Sequence, residues 1–205
     1  KGMELGTVPE TLNITKSDWI VDIHKQYIEA GADVVYANTF GANRYKMKNT
    51  GYTVDELINA AIANAKEAAK GTDAMVALDM GPIGQLLEPT GNLSFEEAYD
   101  IFKEEVVAAK DADIIVIETM TDLLETKAAV LAAKENSNLP VITTMTFEEN
   151  KRTFTGCSVS AMCLTLEGLG VDAMGVNCSL GPKDLIPIVE EISKWTSLPI
   201  VVKAN

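Results

Sequence analysis

The sequence predicts a parallel α/β fold of the (β/α)8 TIM-type barrel class, truncated to about six βα units, and three observations carry that prediction. Short runs rich in Val and Ile alternate with longer amphipathic stretches along all 205 residues. The runs are continuously apolar rather than alternating, so each strand is covered on both faces, as strands joined by crossover helices are. Polar residues gather after almost every run, at Asn38-Thr39, Asp79, Glu118-Thr119, Thr146 and Asn177-Cys178. A doubly wound sheet concentrates its polar groups at one switch point, whereas a barrel spreads them over the C-terminal ends of several strands. A complete barrel takes roughly 250 residues, so a barrel about two strands short is expected.

In chain order the strand runs are Asp33–Asn38 (DVVYAN), Ala74–Met80 (AMVALDM), Asp113–Glu118 (DIIVIE), Pro140–Phe147 (PVITTMTF), Asp172–Cys178 (DAMGVNC) and Pro199–Lys203 (PIVVK). Helices fill the intervals. Thr15 and Ser94 stand where N-caps belong, and Glu97, three residues after Ser94, completes a capping box. Gly31, Gly71 and Gly170 fall where helices should stop, because a residue without Cβ enters the left-handed region that closes a helix C-terminus. No linker, low-complexity stretch or charge block breaks the rhythm, which predicts one domain over 1–205. The first residue is not Met and the last apolar run meets the chain end, so both ends are expected to be cut from something longer.

Composition narrows the function classes. Acidic residues outnumber basic ones 30 to 17, for a net charge of -13, which argues against nucleic acid and anionic membrane as partners. Three cysteines are too few and odd in number for a disulfide framework, which predicts a reducing, cytoplasmic location. No run reaches the ~18 apolar residues of a membrane span, and the start lacks a basic-then-apolar signal pattern.

Several residues carry two readings. Cys178 ends a strand run in GVNCSLGP; a free cysteine is usually a small buried hydrophobe, yet at a barrel's functional rim a thiol faces the site and can ligate a metal. Glu118 closes IIVIE, where a charge must be paired or solvated, so it either meets a ligand cation or caps the helix starting near Thr121. Asp79, in LDMGPIG, has glycines suited to a phosphate loop but no Lys or Arg beside them, which argues against phosphate. Asn38, Thr39 and Phe40 close the first run, with loop hydrogen bonding and filling of the barrel mouth as their plain roles. Cys157 and Cys163 match no standard zinc spacing and read as structural. His24, the sole histidine, lies on a predicted helix, which excludes a Ser-His-Asp triad; its DIHKQY context has Tyr27 where a cobalamin-ligand motif needs glycine, so it reads as surface or interhelical.

Six blocks in order resemble the homocysteine S-methyltransferase (homocysteine-binding) domain: AGADVVYANTFGANRYKM; LDMGPIGQLLEPTG; LSFEEAYDIFKEE; IIVIETMTDLLETKAAVLAAKE; MTFEENKRTFTG; GVNCSLGP. The subgroup most resembled is the N-terminal module of bacterial cobalamin-dependent methionine synthase. The resemblance implies a (β/α) barrel that activates homocysteine as a zinc-bound thiolate, which then accepts a methyl group to give methionine. It implies Cys178 as one of three zinc thiolates, and Glu118 as the partner of the substrate amino group. Asn38, Thr39, Asp79 and Asn177 are implied as further substrate-binding positions. Methylcobalamin is the implied methyl donor, presented by a separate cobalamin- or folate-binding domain or protein. The family's opening Asp-Gly-Ala-Met-Gly-Thr strand and its Gly-Gly-Cys-Cys end are not found in these residues, so two of three zinc ligands are missing and this stretch alone is expected to be inactive. Two other readings stand beside it: a metal-free barrel remnant that binds a small ligand or partner, and a barrel enzyme acting on a small carboxylate through Asp79 and Glu118.

Overall fold

The structure, a computed structural model, describes residues 2–3 and 5–205. A 3-10 turn (Pro9–Thr11) and a one-turn helix α1 (Leu12–Thr15) lead into α2 (Ser17–Glu29). Strands and helices then alternate: β1 (Val34–Tyr36), α3 (Val54–Ala69), β2 (Met75–Met80), α4 (Phe95–Ala108), β3 (Ile114–Met120), α5 (Leu123–Asn136), β4 (Val141–Met145), α6 (Val159–Gly168), β5 (Ala173–Asn177), α7 (Pro182–Ile192) and β6 (Ile200–Lys203). The strands form one parallel sheet in the order β1-β2-β3-β4-β5-β6, the arrangement of a half-barrel. All six predicted strands are present, each within a few residues of its predicted bounds.

The sheet has two unlike faces. Helices cover one of them, and the large core there is built from residues such as Val76, Leu78, Ile115, Ile117, Met145 and Val176 on the strands and Ile58, Phe102 and Val130 on the helices. A smaller apolar cluster occupies the inner face: Ala77, Ile114 and Val116, with Val34, Tyr36 and Ile142 packed against it. Alternate residues of a strand point to opposite faces, so continuing these inner rows upward brings Asp79, Glu118 and Asn177 to the C-terminal rim of that face. Register ties the rows together, with Tyr36 opposite Ala77, Asp79 opposite Val116, and Asn177 opposite Lys203. Between Ile117 and Met120 the β3–β4 register shifts, taking Glu118 and Thr119 out of the regular ladder. Such a bulge re-aims the side chains it contains.

Caps agree with the sequence reading in part. Ser94 and Glu97 form the predicted capping box at α4, and Thr53 with Glu56 forms a second at α3. Thr15 is not a cap: it is the last residue of α1, and its hydroxyl donates back to the Thr11 carbonyl at 3.0 Å. Lys16, not Thr15, precedes α2, and it makes no side-chain cap bond. Gly31, Gly71 and Gly170 all follow helix ends with φ of +97°, +82° and +77°, as a left-handed stop requires. Gly175 serves a different need. A Cβ there would lie 1.8 Å from the Val201 carbonyl oxygen, so only glycine lets β6 approach β5 this closely.

Of the two readings of His24, surface or interhelical, the structure shows the interhelical one: it is buried within α2, and burial lowers its imidazole below the ordinary range. The apolar face of α2 that packs toward β1 and α3 carries it inward.

Candidate functional site

Two linked clusters occupy the C-terminal rim of the inner face. The first contains Asp79 from β2, Glu118 from β3, Lys203 from β6 and Tyr36 from β1. Lys203 Nζ contacts Glu118 Oε2 directly, lies 3.5 Å from the Tyr36 hydroxyl and stands 4.5 Å from the centre of the Tyr36 ring. Burial is the largest single influence on the Lys203 ammonium and works to lower it, but the bond to Glu118, the Glu118 charge and the Tyr36 hydroxyl together outweigh it and hold the group above its ordinary range. Asp79 is 8% exposed, and among the described residues its Oδ1 has no hydrogen-bond partner. Burial, then the Glu118 charge, pushes its carboxyl well above the usual range, against the pull of Lys203. A carboxyl in this position is held neutral by desolvation unless a cation comes to it.

The second cluster surrounds a thiol. Asn177 Oδ1 accepts from the Thr119 N–H at 2.9 Å and from the Thr144 hydroxyl at 2.8 Å. Its Nδ2 donates to Thr119 Oγ1 at 2.7 Å and toward Cys178 Sγ at 3.4 Å. Thr119 and Cys178 have φ of 60° and 56°, and Ser179 follows at 55°. Non-glycine residues in that region carry strain that surrounding bonds must offset. The Cys178 N–H donates to the Lys203 carbonyl at 3.0 Å, and the Ser179 hydroxyl donates to the Phe147 carbonyl at 2.9 Å. Asn177 therefore binds the turn bearing Glu118 to the turn bearing Cys178, and its own amide is fully engaged in doing so.

Thr39 and Asn38 shape the rim rather than presenting free groups to it. The Thr39 hydroxyl donates to the Asp79 carbonyl at 2.8 Å and accepts from the Asp79 N–H at 3.0 Å, which locks the β1 and β2 ends together. Asn38 Nδ2 donates to the Pro9 carbonyl at 2.8 Å, and its own carbonyl accepts from Asn13, so it ties the N-terminal turns to β1. The Phe40 ring lies against Gly81 and under Lys46, a packing role as expected. Tyr36, Asn38, Thr39 and Asp79 line a cavity of about 470 Å³, which His24 and Ile20 of α2 also border. Glu118 does not cap α5, because Asp122 does, accepting from the Leu124 N–H at 3.1 Å.

Sequence reading did not single out Lys203 or Tyr36 as site residues. Lys203 had a usable signal, since a charge closing the apolar run PIVVK poses the same pairing question that Glu118 does. Tyr36 had none, because an aromatic inside a strand run reads as core.

The thiols do not assemble a metal centre on their own. Among the described residues no group of three or more His, Cys, Asp or Glu side chains is placed to hold a metal ion. Cys163 is fully buried in the core, and the Cys157 thiol donates to the Ser158 carbonyl at 3.3 Å. Cys178 is thus a single candidate ligand, short of the tetrahedral set that zinc takes.

Among the described residues no helix is long and apolar enough to cross a membrane. Comparison with solved structures places the fold: the chain superimposes on the metallated form of the homocysteine methyltransferase MmuM from Escherichia coli with a TM-score of 0.88, at 20% identity, over 98% of this chain and 77% of that one. Methionine synthases from Mycobacterium leprae (strain TN) and Mycobacterium tuberculosis (strain ATCC 25618 / H37Rv) are each 32% identical to it over 96% of this chain. The chain spans only 17% and 18% of the lengths of those two relatives. The family described as homocysteine S-methyltransferase matches residues 4–205, and the chain belongs to that family.

Proposed function

We propose that this chain is the homocysteine-binding part of a methionine synthase type methyltransferase, which presents the homocysteine sulfur to a methyl donor so that methionine forms. The observation that carries the reading is the joining of Glu118 and Cys178 on one rim through Thr119 and Asn177. A carboxylate suits the substrate ammonium, and a thiol one short hydrogen-bonded link away suits a thiophilic ion that holds the substrate sulfur. In this reading Cys178 supplies one zinc thiolate, and the other ligands come from outside these 205 residues. Zinc when bound would keep the homocysteine sulfur as thiolate, a stronger nucleophile at neutral pH than the thiol. The methyl donor, methylcobalamin, would be carried by another domain or protein. Asp79 and Thr39 would shape the ammonium side of the pocket, while Asn38 and Asn177 would hold its walls.

The test is zinc stoichiometry of the full-length protein by elemental analysis, before and after Cys178→Ala, with homocysteine affinity measured by calorimetry in parallel. One zinc lost on mutation, together with loss of homocysteine binding, is the expected result. Zinc near zero in the unmutated protein would overturn the thiolate mechanism and favour a metal-free barrel that binds a small ligand.

A further inference from the structure

Glu118 already has a cation. If it is the carboxylate that receives the substrate ammonium, as proposed above, then the ligand and Lys203 compete for one group, and the way that competition resolves is written in the surrounding residues. The Lys203 backbone cannot leave: β6 pairs with β5 at Asn177, and the Lys203 carbonyl accepts from the Cys178 N–H at 3.0 Å. Its side chain is half-buried and free to rotate about four single bonds. From Glu118 its ammonium already touches the Tyr36 ring face and hydroxyl, and an aromatic face stabilises a partly desolvated cation in transit. Tyr36 lies opposite Ala77, two residues below Asp79 on the same inner row of β2. Asp79 Oδ1 is buried and, among the described residues, has no hydrogen-bond partner, so it is an acceptor waiting for a donor.

We propose that Lys203 is a resident stand-in for the substrate ammonium: it holds Glu118 when no substrate is bound, yields Glu118 to the incoming α-ammonium group, and swings past Tyr36 to Asp79. Lys203 is then a positioning residue that sets affinity and discrimination between amino and non-amino thiols. It does not touch the reacting sulfur. The arrangement keeps Glu118 paired in both states, which a buried-rim carboxylate requires, and it makes selection for an amine depend on a second carboxylate, Asp79, that takes up the displaced lysine.

The experiment is calorimetric titration of the full-length protein with homocysteine and with 4-mercaptobutyrate, the same thiol acid without the amine. If Lys203 competes, K203M binds homocysteine about two- to fivefold more tightly than the unmutated protein, the range a partly exposed ion pair allows, and binds 4-mercaptobutyrate unchanged. K203Q shows the same sign, and K203R restores the original affinity. D79N weakens homocysteine binding about threefold when Lys203 is present and has no effect in the K203M background, because the displaced ammonium is what Asp79 serves. A purely structural role would make every Lys203 variant bind more weakly, and that outcome overturns the proposal. E118Q separates the two levels. If it abolishes the preference for homocysteine over 4-mercaptobutyrate while K203M and D79N act additively, the lysine exchange is wrong and the substrate reading survives. If E118Q leaves the preference intact, the ammonium does not bind Glu118 and both fail.

Discussion

Replacing Asn177 with alanine should be among the most damaging single changes at the rim, because its amide joins the two turns that carry the site. Asn177 is 2% exposed, and its amide makes four polar contacts: two accepted, from the Thr119 N–H and the Thr144 hydroxyl, and two donated, to Thr119 Oγ1 and toward Cys178 Sγ. Truncation strands the buried Thr144 hydroxyl and the Thr119 N–H, each at a cost of about 1–3 kcal/mol. Part of this returns when Thr119, a β-branched residue at φ 60°, relaxes out of the left-handed region. The net expectation is a loss of about 3 kcal/mol in a urea unfolding curve at neutral pH. N177D keeps the acceptor oxygen Oδ1 and loses the amide donor, so it should recover part of the stability that N177A loses. An N177A protein within about 0.5 kcal/mol of the original would refute the view that this amide holds the two turns together.

G175A should cost about 3 kcal/mol, because the added Cβ meets the Val201 carbonyl oxygen at 1.8 Å and forces β6 outward; G168A, where nothing lies within 4 Å, should stay within about 0.5 kcal/mol in the same denaturation assay. S94A and T53A should each lose about 1 kcal/mol and add independently, since each removes one capping box on a different helix. Glu125 gives a pH signature: burial pushes its carboxyl up to about 7, against a bond from the Ile83 N–H at 2.7 Å. A carboxyl raised in the folded state favours folding most at low pH, and that contribution is lost as pH rises from the unfolded value of 4.5 through about 7. E125Q should therefore be more stable than the original at pH 8, by up to about 3 kcal/mol, and little different at pH 4 in paired urea curves. Equal stabilities at pH 8 would refute a buried charge at this position.

The rhythm of short, Val- and Ile-rich runs set between longer amphipathic stretches was enough to place six parallel strands, because a strand covered on both faces is apolar at most of its positions. Ser94 with Glu97 was legible for a local reason: a capping box is a contact between residues three apart. Thr15 failed by the same rule, since a hydroxyl near a helix can also bond backward, and only the turn Leu12–Thr15 shows that it does. For His24 the choice between the surface and the interhelical alternative could not be made from sequence, because which side of α2 faces inward depends on what packs against it.

At the site, residue types and strand ends pointed to Glu118, Asp79 and Cys178 before any coordinates, since a charge or thiol closing an apolar run must lie at a rim. What they meet there was set by register. Glu118 and Lys203 are 85 residues apart, and their contact exists because β6 stands next to β5 with Asn177 opposite Lys203, and because Glu118 continues the inner row of Ile114 and Val116. Whether a strand-end carboxylate caps a helix, waits for a ligand or already holds a lysine is a question of distance between strands, and the linear order of residues carries no distances across a sheet. The sequence determined the layers and the list of reactive groups through burial and periodicity, which are local properties. The tertiary structure alone decided which of those groups share a proton, a cation or a hydrogen bond, because those interactions act over a few ångströms of space.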